Sequence, residues 1–454
     1  MAREHLLKIG VSGIRGVVGE FLTPALACAF GQAFGTYVGR GPVLVGRDTR
    51  STGPMLQHAV QCGLLAAGCE VVDLGVLPTP TIQMYVTAAR ARGGIALTAS
   101  HNPPEYNALK LFNHHGLFFN HYERTELIDL WHQSAFTEVL NRDIRAVRQE
   151  LEAPMRLHVH RVLHHVDVDA IVARKFKVAL DAVNGAGSVM TPGFLTDHLG
   201  CQLTAISIDP TKPFPREAEP KPETLGEIAA LVREKGCDIG FAQDPDGDRL
   251  AVIDENGVVL DNDDVLALAV EAALERLPGD VVVNLTTSSV IDDIAARFGR
   301  KVWRTPVGEA NVVERIQAVN AAIGGEGTSG GIIFPAVHLC RDSYSGMAMF
   351  LGRMAATGLT ISQLAARLPR YTRAIGKVAY RHGQLGSLMQ TLESEFPDAQ
   401  MDRTDGLKLL WPAEGRWIHV RSSNTEPILR FSAEARTAEE TERLYELVKQ
   451  KLGG

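Results

Sequence analysis

Short apolar runs that end in a polar or glycine-rich turn, then give way to a helical pattern, recur along the chain. GPVLVGRDTRSTG (41–53) is followed by the amphipathic MLQHAVQCGLLAAG. KVALDAVNGAGS (177–188) leads into a segment ending in FLTDHLG, and DVVVNLTTSS (280–289) leads into VIDDIAARFG. Each is a strand–turn–helix unit, and their recurrence predicts three related α/β domains with mixed sheets. The tail has another pattern. LKLLW, RWIHVR and ILRFSAEA read as strands, and AEETERLYELVKQKL as one closing helix with apolar residues along one face. That predicts a smaller C-terminal α+β domain. Boundaries near residues 153, 256 and 371 divide the chain into 1–153, 154–256, 257–371 and 372–454.

Length and composition agree with this division. A chain of 454 residues exceeds one core, since domains usually hold about 100–200 residues. With 45% hydrophobic and 22% charged residues, it has the composition of a globular protein. The net charge of −7, with both signs spread along the chain, is not that of a nucleic-acid binder with a basic face. Cys28, Cys62, Cys69, Cys201, Cys237 and Cys340 form no CxxC pair, so they are expected as buried thiols in a reducing compartment. No run reaches the roughly 18 apolar residues of a membrane span. The opening MAREHLLKIGVSGIRG lacks the apolar centre of a signal peptide. The expectation is a cytoplasmic protein, monomer or homodimer, with a small-molecule partner and neither nucleic acid nor membrane.

Four clusters carry candidate chemistry. In DPDGDR (244–249), Asp244, Asp246 and Asp248 alternate and Gly247 permits a tight bend. Three carboxylates so close repel one another without a cation, and hard oxygen ligands suit Mg²⁺ or Ca²⁺. An EF-hand loop is excluded, because Arg249 stands where that loop needs glycine and RLAVIDENG reads as strand and turn. RSSNTEPILR (421–430) gathers Arg421, Ser423, Asn424, Thr425 and Arg430, a donor inventory suited to a phosphate dianion. GGEGTSGG (324–331), preceded by TPVGEAN, lets backbone approach a ligand closely, and Glu326 can accept hydrogen bonds from sugar hydroxyls. It is neither a Walker loop nor a dinucleotide fingerprint. The fourth cluster, LTASHNPPEYNALK (97–110), places Ser100 and His101 in a turn without the GxSxG of a hydrolase. A serine that stores a phosphoryl group needs instead a divalent cation, cationic side chains and a proton acceptor. All three are available here.

TASHNP with YNALK, DPDGDR, GEGTSGG and RSSNTEP, in this order, resemble the motifs of the α-D-phosphohexomutase family. The resemblance spans the chain from GIRG (13–16) to the C-terminal loop. It implies three α/β domains and a smaller α+β domain around a central cleft, with a mobile last domain. It also implies interconversion of sugar 6-phosphates and 1-phosphates through a phosphoserine and a sugar 1,6-bisphosphate intermediate. Carried onto this chain, Ser100 is the phosphoserine, and Asp244, Asp246 and Asp248 bind Mg²⁺ together with Ser100. Arg15 and Arg249 stabilise the transferring charge, Lys110 is the general acid/base and His101 assists. Arg15 and Arg249 are also expected to lower the Lys110 pKa. Thr305, Gly308, Glu326 and Ser329 belong to the sugar site, and Arg421, Ser423, Asn424, Thr425 and Arg430 clamp the unreacting phosphate.

Departures from the family pattern concern the sugar. The family loop is GExSG, whereas Thr328 adds a residue between Glu326 and Ser329, and Gly331 replaces a frequent histidine. Ala310 in VGEAN stands where many members carry lysine. The glycine-rich loop is nearest to members acting on glucosamine phosphate, with mannose or glucose phosphate as alternatives. A sugar-phosphate phosphatase and a non-catalytic sensor are the rival functions. Elsewhere, His160 and His164 share a helix face without a third ligand. AVNGAGS is expected to close a strand–helix junction, and Arg47, Asp48 and Arg50 form either a structural ion pair or a substrate contact.

Overall fold

The computed structural model describes residues 8–10, 13–380, 384–422 and 428–453. The chain divides into two compact units, Met1–Asp261 with Gly331–Leu364, and Asn262–Gly330 with Ala365–Gly454.

In the first unit, a seven-stranded sheet runs in the order Lys8–Gly10, Gly13–Val17, Tyr106–Phe112, Gly93–Leu97, Pro42–Arg47, Glu70–Val76, Val147–Gln149. The apolar run in GPVLVGR becomes its centre: Val43, Leu44 and Val45 are fully buried. Helix Pro24–Val38 starts where the Thr23 hydroxyl accepts from the Leu26 amide and proline follows the cap. It packs against Gly53–Ala66 so tightly that a Cβ on Gly63 would lie 2.1 Å from the Cys28 carbonyl oxygen. Phe30 and Phe34 are buried in the core beside them, each burial contributing about 1.5–3 kcal/mol. Gly93–Leu97 pairs antiparallel with Tyr106–Phe112, Ala96 facing Lys110. One hairpin therefore carries both Ser100, in its connecting loop, and Lys110.

A second sheet in this unit runs Leu250–Ile253, Ile239–Gln243, Lys177–Asp181, Gln202–Ile206, parallel except for the first pair. DPDGDR is the turn of that antiparallel pair, with Gly247 at φ +68°. A strand rather than a helix follows it, as the residue pattern required. The recurring unit returns with Val281–Asn284 and helix Val290–Arg297 in the second unit, where Val302–Thr305 and Ile323–Glu326 flank the strand in parallel.

The C-terminal sheet is antiparallel, in the order Thr372–Ala379, Ile428–Ala435, Arg416–Ser422, Leu407–Trp411, Gln400–Asp402. Helix Ala438–Lys451 packs on it through Leu444 and Val448. The last domain shares a compact unit with 262–330. Buried Lys408 donates to the Leu285 carbonyl (2.6 Å), Glu434 accepts from the Ser289 amide (2.8 Å), and Arg373 pairs with Asp263.

The cysteine expectation holds in part. Cys69, Cys201, Cys237 and Cys340 are buried, but Cys28 is half-buried and Cys62 exposed. Among the described residues, no helix is long and apolar enough to cross a membrane.

Candidate active site

Ser100, three aspartates and a buried lysine meet in the first unit. Ser100 Oγ donates to Asp244 Oδ2 at 2.6 Å, across 144 positions of sequence. Lys110 Nζ donates to Asp246 Oδ2 (2.6 Å) and Asp248 Oδ2 (3.3 Å), and all five side chains are almost wholly buried. The DPDGDR turn is held from several sides. Asp244 Oδ1 accepts the amides of Asp248 and Arg249. The Thr79 amide donates to the Asp246 carbonyl, and its hydroxyl to Asp246 Oδ2 at 2.5 Å. Helix Thr79–Ala88 begins there, so its positive end favours that carboxylate. The glycine turn of AVNGAGS does more than close a strand–helix junction: the Ala186 amide donates to the Pro245 carbonyl at 2.7 Å.

Asp246 Oδ1 and Asp248 Oδ1 are buried without a hydrogen-bond partner. Each such oxygen costs about 1–3 kcal/mol if left unsatisfied. One ligand oxygen from each aspartate lies within 4.8 Å of the others, a spacing that fits a single hard divalent cation. Burial, then the neighbouring carboxylates of Asp248 and Asp246, hold Asp244 well above the usual carboxylate range. Burial also opposes ionisation of Asp248, but Arg341, Lys110 and Arg249 outweigh it and hold that carboxyl well below its ordinary value.

Around these groups stand more cations. Arg15 Nη1 donates to Asn102 Oδ1 (2.6 Å), Arg249 Nη1 to Glu219 Oε1 (2.5 Å), and Arg341 Nη2 to Asp248 Oδ2 (2.7 Å). His101 is pushed down to about 3 by burial and by Arg249, against the pull of Glu219. It stands neutral beside Ser100, its buried Nδ1 without a partner.

Lys110 corrects the expectation made for it. Burial alone would lower its pKa, but Asp246 and Asp248 outweigh burial and raise it. The expected cationic neighbours are also different, since Arg341 is the one that opposes the shift. In this geometry Lys110 is an ammonium clasp between two carboxylates.

Several residues of the site were not legible in the sequence. Glu219, Thr79 and Arg341 sit in no motif; only the RD of LCRDSYSG, where Asp342 caps helix Ser343–Thr357, marks Arg341. The Asp48–Arg50 alternatives are decided by burial: both side chains are fully buried, 3.1 Å apart, beneath the Ser100 loop. His160 lies exposed on helix Glu152–Leu163 and His164 exposed in the turn that caps it. Among the described residues, the three aspartates are the one cluster with metal-ligand spacing.

The sugar and phosphate loops lie in the second unit. Thr305 ends its strand with its hydroxyl turned to the Pro306 carbonyl (3.0 Å). Glu326 Oε1 accepts from the Gly308 amide (2.8 Å) and Asn284 Nδ2 (3.0 Å), so this carboxylate staples its own loop to TPVGEAN. Ser329 Oγ donates back to the Glu326 carbonyl (3.1 Å) in a short helical turn Gly327–Ser329 that accommodates the extra Thr328. Arg421 and Arg430 face each other across adjacent strands. Ser423, Asn424 and Thr425 lie outside the described residues.

Comparison with known proteins supplies the family. The phosphoglucomutase/phosphomannomutase domain families I, II and III, described as alpha/beta/alpha domains, match residues 6–138, 156–257 and 261–371, and the family's C-terminal domain matches 393–451. A Thermococcus kodakarensis protein named phosphoglucomutase/phosphomannomutase is 37% identical over 446 residues, covering 96% of each chain. A Methanopyrus kandleri protein named "Probable phosphoglucosamine mutase" is 37% identical over 439 residues, covering 96% of this chain and 95% of the other. Among solved structures, a phosphoglucomutase/phosphomannomutase family protein from Burkholderia thailandensis superposes with a TM-score of 0.83 at 26% identity, covering 98% of both chains. The Aspergillus fumigatus N-acetylphosphoglucosamine mutase, solved with GlcNAc-6P and magnesium, shares the fold at 15% identity, with a TM-score of 0.55 and coverage of 90% and 82%. The chain with Ser100 against its aspartate turn therefore belongs to the phosphoglucomutase/phosphomannomutase family, and is a phosphohexomutase, an isomerase-type phosphotransferase.

Proposed function

We propose that the protein interconverts glucosamine 6-phosphate and glucosamine 1-phosphate, with Ser100 as the phosphoryl carrier. The observation that carries the reading is Ser100 Oγ 2.6 Å from Asp244, beside Lys110 bridging Asp246 and Asp248. In the first half-reaction the P–O bond to Ser100 Oγ breaks and one to a sugar hydroxyl forms, giving the 1,6-bisphosphate. In the second, after the intermediate turns over, its other phosphate returns to Ser100. Four cations (Arg15, Lys110, Arg249, Arg341) face four carboxylates (Asp244, Asp246, Asp248, Glu219) in this site. A phosphoserine adds a charge of about −1.5 to −2, which one divalent cation balances.

Asp244, Asp246 and Asp248 would hold Mg²⁺ with a phosphoserine oxygen, and the ion would neutralise charge on the transferring group. Arg15 and Arg249 orient that group's oxygens, neutral His101 assists beside Ser100, and the attacking hydroxyl's proton replaces the one that Lys110 gives up. Lys110 returns a proton to the oxygen that leaves phosphorus. Glu326, Ser329, Thr305 and Gly308 would form the sugar site, and Arg421, Arg430 and the 423–425 segment the clamp for the idle phosphate. The four-part division at 153, 256 and 371 belongs to this reading as well. Glucosamine is favoured by the glycine-rich loop and by several relatives of 33–37% identity that bear the phosphoglucosamine mutase name. Phosphomannomutase or phosphoglucomutase activity is the second reading, favoured by the name of the Thermococcus kodakarensis relative.

A coupled assay with Mg²⁺ and a trace of sugar 1,6-bisphosphate would compare glucosamine 6-phosphate, mannose 1-phosphate and glucose 1-phosphate. Intact-mass analysis of the same sample would read the phosphate on Ser100. Fastest isomerisation of the amino sugar is expected. Faster turnover of mannose or glucose phosphate would overturn the sugar assignment, and steady phosphate release without isomerisation would overturn the mutase.

A further inference from the structure

We propose that Arg50 is a positioning residue that holds the Ser100 loop in one geometry through both halves of the phosphoryl cycle, an inference that rests on the phosphoserine reading above. Ser100 has φ +48°, a left-handed conformation that serine seldom adopts without outside support. Relaxation to negative φ would swing Oγ away from Asp244.

The support is a single buried ion pair acting on both sides of Ser100. On the amide side, the Ser100 N–H donates to Thr98 Oγ1 (2.9 Å), whose hydroxyl donates to Asp48 Oδ2 (2.7 Å). On the carbonyl side, Arg50 Nη2 donates to the Ser100 oxygen at 2.6 Å. The same guanidinium reaches the carbonyls of Asn102 (2.7 Å), Pro103 (2.7 Å) and Tyr106 (3.1 Å), and its Nε donates to Asp48 (3.1 Å). A guanidinium has five N–H donors in a rigid fork, and here each has an acceptor. Arg50 lies over the Phe214 ring at 5.2 Å, and its side chain is fully buried. With no donor left over, Arg50 does not reach substrate; its work is done on the loop.

Phosphorylation changes the charge and hydrogen bonding of the Ser100 side chain at every turnover, and the Oγ–Asp244 bond exists only in the hydroxyl form. The clamp bonds backbone atoms, which phosphorylation leaves unaltered. It therefore presents the hydroxyl and the phosphoserine from one fixed loop.

Arg50→Lys keeps the charge but loses the fork, and Thr98→Val removes the amide-side link at nearly constant volume. Both would be compared with the unaltered protein per folded molecule, with the folded fraction taken from thermal melts. For Arg50→Lys, kcat should fall on the order of 100-fold, as for a displacement of about 1 Å at a reacting atom. KM for the sugar phosphate should stay within about two-fold, the mark of lost transition-state geometry rather than lost binding. Single-turnover phosphorylation of Ser100 by the bisphosphate, and its discharge to sugar phosphate, should slow by the same factor. Hydrogen exchange should quicken in the 98–106 peptide alone, with a smaller change in Thr98→Val. A raised KM at unchanged kcat would make Arg50 a substrate contact, and wild-type kcat per folded molecule would make it structural only; either overturns the proposal. If the unaltered protein takes no phosphate on Ser100, the phosphoserine reading fails instead, while exchange in the 98–106 peptide still judges the clamp.

Discussion

Gly185→Ala should disable the metal loop without touching a ligand. Gly185 has φ −81° and ψ −167°, which alanine adopts freely, so no backbone strain enters. The obstacle is steric: a Cβ there would lie 2.6 Å from both Pro245 Cα and Pro245 O. Ordinary contact begins near 3.4 Å, so Pro245 must retreat by roughly 0.8 Å, an overpacking that costs about 1–3 kcal/mol. Pro245 lies between Asp244 and Asp246, and the shift passes directly to their carboxylates. Metal–ligand distances tolerate about 0.2 Å. Mg²⁺ affinity, read from the metal dependence of turnover, should fall roughly 10- to 100-fold, or about 1.4–2.7 kcal/mol, and the melting temperature should drop. Gly226→Ala is the control: nothing lies within 4 Å of its Cβ, and at the start of helix Gly226–Lys235 it should be neutral or gain up to about 1 kcal/mol. Wild-type metal dependence in Gly185→Ala would refute the argument that the NGAG turn sets the position of the aspartates.

Two further outcomes follow from the same geometry. Asp246→Asn removes the closest anionic partner of Lys110 and should cut turnover by about 10²–10³-fold while circular dichroism stays native. Near-normal turnover of that variant in a Mg²⁺-free chelating buffer would end the metal assignment. The third outcome concerns pH. Burial pushes His419 down to about 4, although its bond to the Asp405 carbonyl (2.6 Å) works the other way. The folded state thus takes up its proton below about 4, whereas the unfolded chain does so near 6.5. The stability contributed by neutral His419 is complete above about 6.5 and is lost as pH falls toward 4, at up to about 1.4 kcal/mol per unit. Urea unfolding at pH 7.5 and pH 5 should show a smaller difference in His419→Gln, by about 2 kcal/mol; equal differences would mean that His419 titrates normally.

The sequence by itself determined what depends on neighbours along the chain. Apolar runs such as VLV at 43–45 and VVV at 281–283 became strands, and the turn residues of DPDGDR became a hairpin turn, because local pattern and turn chemistry suffice for both. Ser100 and the three aspartates were also legible, since an alternating acidic turn and an isolated serine loop carry their chemistry in their own residues. The packing of the sheets decided the rest. Ser100 meets Asp244 across 144 positions and Lys110 meets Asp246 across 136, separations over which no periodicity speaks. The charge state of Lys110 went against expectation for that reason: its pKa is set by which side chains surround it after folding, and those are Asp246 and Asp248, not Arg15 and Arg249. Arg341, Glu219 and Arg50 have the same origin. Their own segments gave at most a charged strand end for Arg50 and an RD pair for Arg341, and only the fold sets these residues against four loop carbonyls, a carboxylate and, for Glu219, a guanidinium. Burial in low dielectric is what turns such a charge into part of a site, and burial is a property of the tertiary structure alone.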